Sequence, residues 1–231
     1  MSLILLRENT NNEQAYLKML GTLYTAARVC YCKNSPSELA RDFEIGAANK
    51  EEMEKFLKKH IFDTGHWSVL EHIKFTFLVW GYDRDMSKQL FRHRLSSYEE
   101  RSLRYVDASN VPFVQPKSFQ NKVILQQVYD DLADHCKNAY RLAIEQGVKK
   151  EDARSLLLGS VETCFVFTAN LRQLLHIAEL RLCQRAQLPI RTLMMEIKNE
   201  LDKHYKGNIF TAYMKPNCAH CKEVNGCKKE D

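Results

Sequence analysis

Ile73-Lys74-Phe75-Thr76-Phe77 alternates apolar and polar side chains, and a period of two specifies a strand with one buried face. Such a strand needs neighbours along its edges and a layer over its apolar side. Leu3 to Leu6 supplies a second short strand, and most of the remaining apolar pattern has helical spacing. Glu13 to Val29 and Lys50 to Ile61 read as helices, the second with Met53, Phe56, Leu57 and His60 on one face. Between them and the strand lies HWSVLEH, in which Ser68 and Glu71 have capping-box spacing and would start a short helical turn.

Beyond the strand, Asp85 to Phe91 places Met86, Leu90 and Phe91 at helical spacing. Ile124, Val128, Leu132, Cys136 and Ala139 form the apolar row of a longer helix that Gly147 stops. Glu151 and Asp152 open a further helix with the acidic residues its dipole favours. Leu171 to Cys183 and Pro189 to Tyr205 complete the helical set, the last with Pro at its first position and Leu193, Ile197 and Leu201 as its row. The expected class is therefore α+β, a mixed or antiparallel sheet packed with several helices. With no internal repeat or linker-like boundary, residues 1–213 read as a single domain and 214–231 as a cysteine-containing tail.

Composition narrows the partners. The 231 residues carry a net charge of +5, which favours anionic ligands such as nucleotides, nucleic acids or acidic surfaces. The apolar run in MSLILLREN is too short for a signal-peptide core and no run approaches a membrane span, so a cytoplasmic location without membrane attachment is expected. Eight cysteines in such a chain read as reduced thiols or a metal site, five of them as small core residues. The tail PNCAHCKEVNGCKKED offers Cys218, Cys221 and Cys227, with His220 nearby. That spacing carries two readings: a structural zinc site and, weightier, a flexible basic tail of free thiols.

The eight glycines form neither GxGxxG nor GxxxxGK[ST], so phosphate binding falls to side chains rather than to a glycine-rich cradle. HExxH, GxSxG and kinase signatures are absent as well. Arginine fits the task, because its planar fork bonds phosphate bidentately and keeps its charge. The densest arginine cluster is RHRLSSYEERSLRY, Arg92 to Tyr105. Arg92, His93 and Arg94 point in different directions in either a helix or a strand, and so can reach different ligands. Taken alone, RHR reads as a solvated basic face paired with Glu99 and Glu100.

Arg92-His93-Arg94, seven residues, then Ser102, with Ser97, Glu100, Arg104 and Tyr105 in register, resembles the signature of the flavin-dependent thymidylate synthases. AARV at 26–29, HWSVLEH at 66–72, Gln89, Ala153-Arg154, Asn170-x-Arg172, Leu180-Arg181 and Gln187 extend the resemblance over most of residues 1–210. It implies that family's fold and a homotetramer holding FAD at subunit junctions. The implied flavin set is Cys30, His66, Ser68, Glu71, Arg92, His93, Arg94, Asn170, Arg172 and His176. The implied dUMP set is Gln89, Glu100, Arg101, Ser102, Arg104, Arg154 and Arg181.

Helical geometry supports part of this. Around the apolar stripe Leu171, Leu174, Leu175, Ala178 and Leu182, Asn170 and Arg181 fall on one flank and Arg172 and His176 on the other. The implied reaction is reductive methylation of dUMP at C5, with methylene-tetrahydrofolate as carbon donor and NADPH as reductant through FAD. Arg181 would stabilise charge on the uracil, Arg104 and Arg154 would bind phosphate, and Ser102 would orient the substrate. The Pro-Cys-His setting of the cysteine-dependent thymidylate synthases is absent.

Cys30 stands where relatives commonly have Ser, Glu99 and His176 where Asn is usual, and Arg185 where His is frequent. These departures leave open a relative acting on another pyrimidine nucleotide. A non-catalytic nucleotide- or RNA-binding protein using the same arginines is the reading from another class; it predicts a colourless preparation. The coordinated matches at 66–72 and 170–181 favour the enzyme, with no nucleic-acid partner.

Overall fold

The computed structural model describes residues 3–6, 12–30, 32–218, 221 and 227. Its elements are β1 (Leu3–Leu6), α1 (Asn12–Val29), α2 (Pro36–Glu44), α3 (Lys50–Leu57), β2 (Lys74–Asp83), α4 (Arg84–Leu90), β3 (Ser96–Glu100), α5 (Val123–Glu145), α6 (Lys150–Ala153), β4 (Glu162–Asn170), α7 (Leu171–Arg181) and α8 (Leu188–His204). The strands form one four-stranded antiparallel sheet in the order β1-β2-β4-β3, so the α+β class is correct. The chain divides into two compact units, residues 78–167 and residues 3–77 with 168–231, and the division runs through β2 and β4.

In the first unit Leu103, Ala108, Val111, Tyr140, Ala153 and Val161 form a buried cluster against which Phe113, Ala143, Ile144 and Leu157 pack. α5 contributes Ala133 and Tyr140 to the interior. Its most regular apolar row faces the other way: Ile124 is 80% exposed, Val128 57% and Leu132 48%. Gly147 ends this helix at φ 79°, a left-handed conformation that costs glycine least.

In the second unit α1 packs on α2 and α3, and α8 packs on β1 and α7. Leu20, Leu23, Leu57, Phe77, Leu174, Ile177, Leu193 and Ile197 are fully buried there. Phe75, Tyr205 and Phe210 group around Tyr16, whose hydroxyl donates to Glu54 at 2.8 Å and accepts from the Ile209 amide at 2.9 Å.

Several local readings need correction. α3 stops at Leu57 and gives way to a π-helical turn, Lys58–Phe62, which turns His60 outward. The predicted helix at Glu151 and Asp152 is the four-residue α6. α2 was not anticipated, although Ser35 and Glu38 form a complete capping box with Pro36 next in chain. The Ser68–Glu71 spacing, by contrast, makes no such box: the 3-10 turn Trp67–His72 has no side-chain cap. Nor are the five cysteines outside the tail core residues, since Cys30 is exposed and Cys32, Cys136, Cys164 and Cys183 are half-buried.

Candidate active site

The Arg92 to Tyr105 stretch lies wholly in the first unit. α4 ends at Leu90, and the turn that follows alternates: Arg92 exposed, His93 7% exposed, Arg94 exposed. Tyr98 on β3 holds this turn in place, donating to the carbonyls of Leu90 at 2.9 Å and His93 at 3.1 Å. Its ring stacks on Phe167 at 5.4 Å, and burial raises the phenol pKa, keeping it a proton donor. Tyr98→Phe keeps the ring and removes both hydrogen bonds, so a stability loss of about 1–2 kcal/mol by urea unfolding is expected. An unchanged midpoint would show that the turn holds itself.

Glu100 ends β3 and is fully engaged. One carboxylate oxygen accepts from Arg84 at 2.6 Å; the other accepts from Ser87 at 2.6 Å and Thr163 at 2.9 Å. Arg84 also donates to the Arg101 carbonyl at 3.1 Å, and the Arg101 amide donates to Cys164 of β4 at 2.9 Å. Glu100 thus fixes the chain on which Arg101 and Ser102 stand. Arg84, Ser87 and Thr163 were not read from the sequence; their signal was polar groups among buried neighbours in α4 and β4.

Arg104 and Arg154 meet at one residue. The Glu151 carboxylate accepts from Arg104 at 3.0 Å, and the Glu151 carbonyl accepts from Arg154 Nε at 3.0 Å. Lys150, also unforeseen, donates to the Tyr105 carbonyl at 3.0 Å. Of these three cations only Arg104 meets the Glu151 carboxylate, while Arg154 and Lys150 are tied to main-chain carbonyls; the Ser102 hydroxyl accepts weakly from the Arg104 amide at 3.4 Å. The Arg104–Glu151 pair is half exposed, and such pairs are held by about 0–1 kcal/mol. A phosphate dianion can displace that carboxylate. Gln89 is half-buried on α4, and Glu99 is exposed on β3.

The second unit holds His66, Ser68, Glu71, Asn170, Arg172, His176, Arg181 and Cys30. β4 runs into α7 without an intervening residue, and Asn170 caps the helix by accepting from the Gln173 amide at 2.8 Å. Leu171, Leu174, Leu175, Ile177 and Ala178 are buried, which leaves Arg172 and His176 on the exposed side as the spacing predicts. Arg172 pairs with Glu71 at 2.5 Å, joining two residues of the implied flavin set across 101 positions. Arg181 is half-buried at the end of α7. His66 is exposed, its Nδ1 lying 3.3 Å from the Thr64 hydroxyl, and Ser68 and Cys30 are exposed too.

Trp67, between His66 and Ser68, buries its indole N–H with no hydrogen-bond partner. A buried donor left unpaired costs about 1–3 kcal/mol, which a polar atom of a bound group would offset. With His66 beside it in chain, and Arg172 and His176 exposed on α7, which packs against the Trp67–His72 turn, this donor set suits a pyrophosphate-bearing cofactor with a polar ring. A separate cavity of about 1000 Å³ opens between α1, α2 and α3, lined among others by Tyr24, Arg28, Asp42 and Lys50. None of the candidate residues lines it. Among the described residues no three His, Cys, Asp or Glu side chains surround one point as a metal site, and His220 lies outside the described residues. Nor is any described helix long and apolar enough to cross a membrane.

The family described as thymidylate synthase complementing protein matches residues 15–205. The flavin-dependent thymidylate synthase of Geobacter sulfurreducens is 40% identical over 174 residues, covering 74% of this chain and 72% of its own. That of Pyrococcus furiosus is 36% identical over 224 residues, covering 91% and 89%. That of Clostridium tetani is 33% identical over 215 residues, covering 85% and 82%.

Proposed function

Because the chain belongs to the thymidylate synthase complementing protein family, we propose that it is a flavin-dependent thymidylate synthase that converts dUMP to dTMP. Methylene-tetrahydrofolate supplies the carbon, and NADPH supplies the reducing equivalents. Bound FAD would carry hydride between reductant and the forming methyl group, the part of the chemistry that protein side chains do not provide. The match over residues 15–205 spans both compact units, which supports their acting as one domain.

The observation that carries the substrate assignment is that Glu151 accepts from two arginines, Arg104 at its carboxylate and Arg154 at its main-chain carbonyl. Arg104 and Arg154 take the nucleotide phosphate, and the Glu151 carboxylate holds Arg104 until it arrives. Glu100 positions Arg101 and Ser102 through its three hydrogen bonds, and Ser102 and Gln89 orient the nucleotide. Arg181 places a permanent cation at the uracil edge, where negative charge develops as C5 becomes nucleophilic. On the flavin side, Arg92, Arg94, Arg172, His66, Ser68 and Cys30 bind phosphate and ribityl oxygens. Asn170 and His176 meet the ring system, Glu71 holds Arg172, and the buried His93 stiffens the turn between its two arginines.

A cytoplasmic homotetramer is part of this reading. The solvent-facing row Ile124, Val128 and Leu132 supports it, since three successive turns of exposed aliphatic surface ask for a cover, and a second copy of the chain supplies one. The decisive assay is tritium release from dUMP labelled at C5. Release is expected to require both NADPH and methylene-tetrahydrofolate. No release by the FAD-loaded enzyme with all three substrates saturating would overturn the assignment.

A further inference from the structure

We propose that Cys183, Cys218, Cys221 and Cys227 form a tetrathiolate zinc site that fastens the C-terminal tail to the end of α7. In the sequence Cys183 stands 35 residues from the nearest tail cysteine, and nothing in its spacing links it to the tail. In the folded chain the Cys227 thiol is hydrogen-bonded with Cys183 and lies within electrostatic reach of Cys221 and Cys218.

A second contact brings the tail to the same place. The Asn217 side-chain amide donates to the Glu179 carboxylate, one helical turn before Cys183. The residue next to Cys218 is thereby anchored on the turn of α7 that leads into Cys183, independently of any thiol. Lys198 on α8 adds a hydrogen bond to the Met214 carbonyl at 3.3 Å, fixing the chain just before it.

The chemistry suits zinc. Four sulfurs without a carboxylate select a soft, tetrahedral ion. An ion with bonds of about 2.3 Å holds its sulfurs about 3.8 Å apart, the separation of a thiol–thiol hydrogen bond. The four described thiols are not closed around one point, so binding requires the tail cysteines to move onto the ion. Each thiol loses its proton as its sulfur joins the ion, and zinc changes no oxidation state.

The test is metal analysis of the full-length protein expressed with zinc supplied and purified under reducing conditions. About one zinc per chain is expected, with an X-ray absorption first shell of four sulfurs. Cys183→Ser and Cys221→Ser should each lower zinc at least fivefold, with helical content by circular dichroism unchanged. A wild-type protein without zinc, or carrying iron instead, overturns the proposal. So does a Cys183→Ser protein that keeps its zinc, because the ligands would then lie in the tail alone.

Discussion

Arg181→Ala should lose turnover by about 10²- to 10³-fold while retaining flavin at wild-type stoichiometry, because the lost cation acts on charge that develops during reaction. Tritium release from dUMP gives the first quantity, and visible absorbance of the purified protein gives the second. Both matter, since Arg181 ends the helix that carries Arg172 and that Asn170 caps, two residues of the proposed flavin set. A colourless variant would mean that Arg181 holds cofactor. A yellow, fully active one would remove it from the chemistry. Arg181→Lys keeps the charge without the planar fork, so an intermediate loss is expected if bidentate bonding to the uracil edge contributes.

Glu100→Ala is expected to act first on the fold. Its carboxylate accepts from Arg84, Ser87 and Thr163, and the Glu100 and Arg84 side chains are only 15% and 24% exposed. Removing it leaves a largely buried guanidinium and the Thr163 hydroxyl without the carboxylate, while Ser87 keeps the Arg84 carbonyl at 3.0 Å, a loss of about 3 kcal/mol. For a chain of this length that lowers the melting temperature by about 6–12 °C. Glu100→Gln retains an acceptor for Arg84 and should recover much of the stability. If Glu100 also touches nucleotide, this milder variant raises the KM for dUMP while melting close to wild type. A shift below about 1 °C for the alanine variant would show that the network carries little.

The contrast between Glu100 and Arg172 shows what a sequence can convey. Arg172 and His176 were placed on the exposed flank of α7 by helical angle alone, and burial of Leu171, Leu174 and Leu175 agrees. Periodicity reports which way a side chain points, and His93 between two exposed arginines follows the same logic. It does not report who answers from elsewhere in the chain. Glu71 looked like half of a local capping box because Ser68 stood three residues before it; its partner is Arg172, 101 residues on. The polar groups of Arg84, Ser87 and Thr163 stand out among apolar neighbours, yet their shared partner Glu100 does not show in the spacing. β4 was legible in ETCFVFTAN, whose Thr163, Phe165, Phe167 and Ala169 alternate inward, yet the stronger helical signal after it drew the reading. The row on α5 predicts its helix correctly but not its cover, since a single chain cannot say whether its own core or another copy covers an apolar face.

The junction of β4 and α7 limits how this protein can vary. Strand becomes helix between Asn170 and Leu171 with no loop residue to absorb a change in length. One inserted residue there turns the following helix by about 100°, which would swing Arg172 toward the interior and a leucine out to solvent. It would also carry Arg181 off its flank, damaging both ends of the helix at once. Substitutions can accumulate along α7 one at a time, but a change of length at its first residue cannot. Among functional descendants of this chain, the distance from Asn170 to Arg181 should therefore stay fixed while neighbouring segments lengthen and shorten.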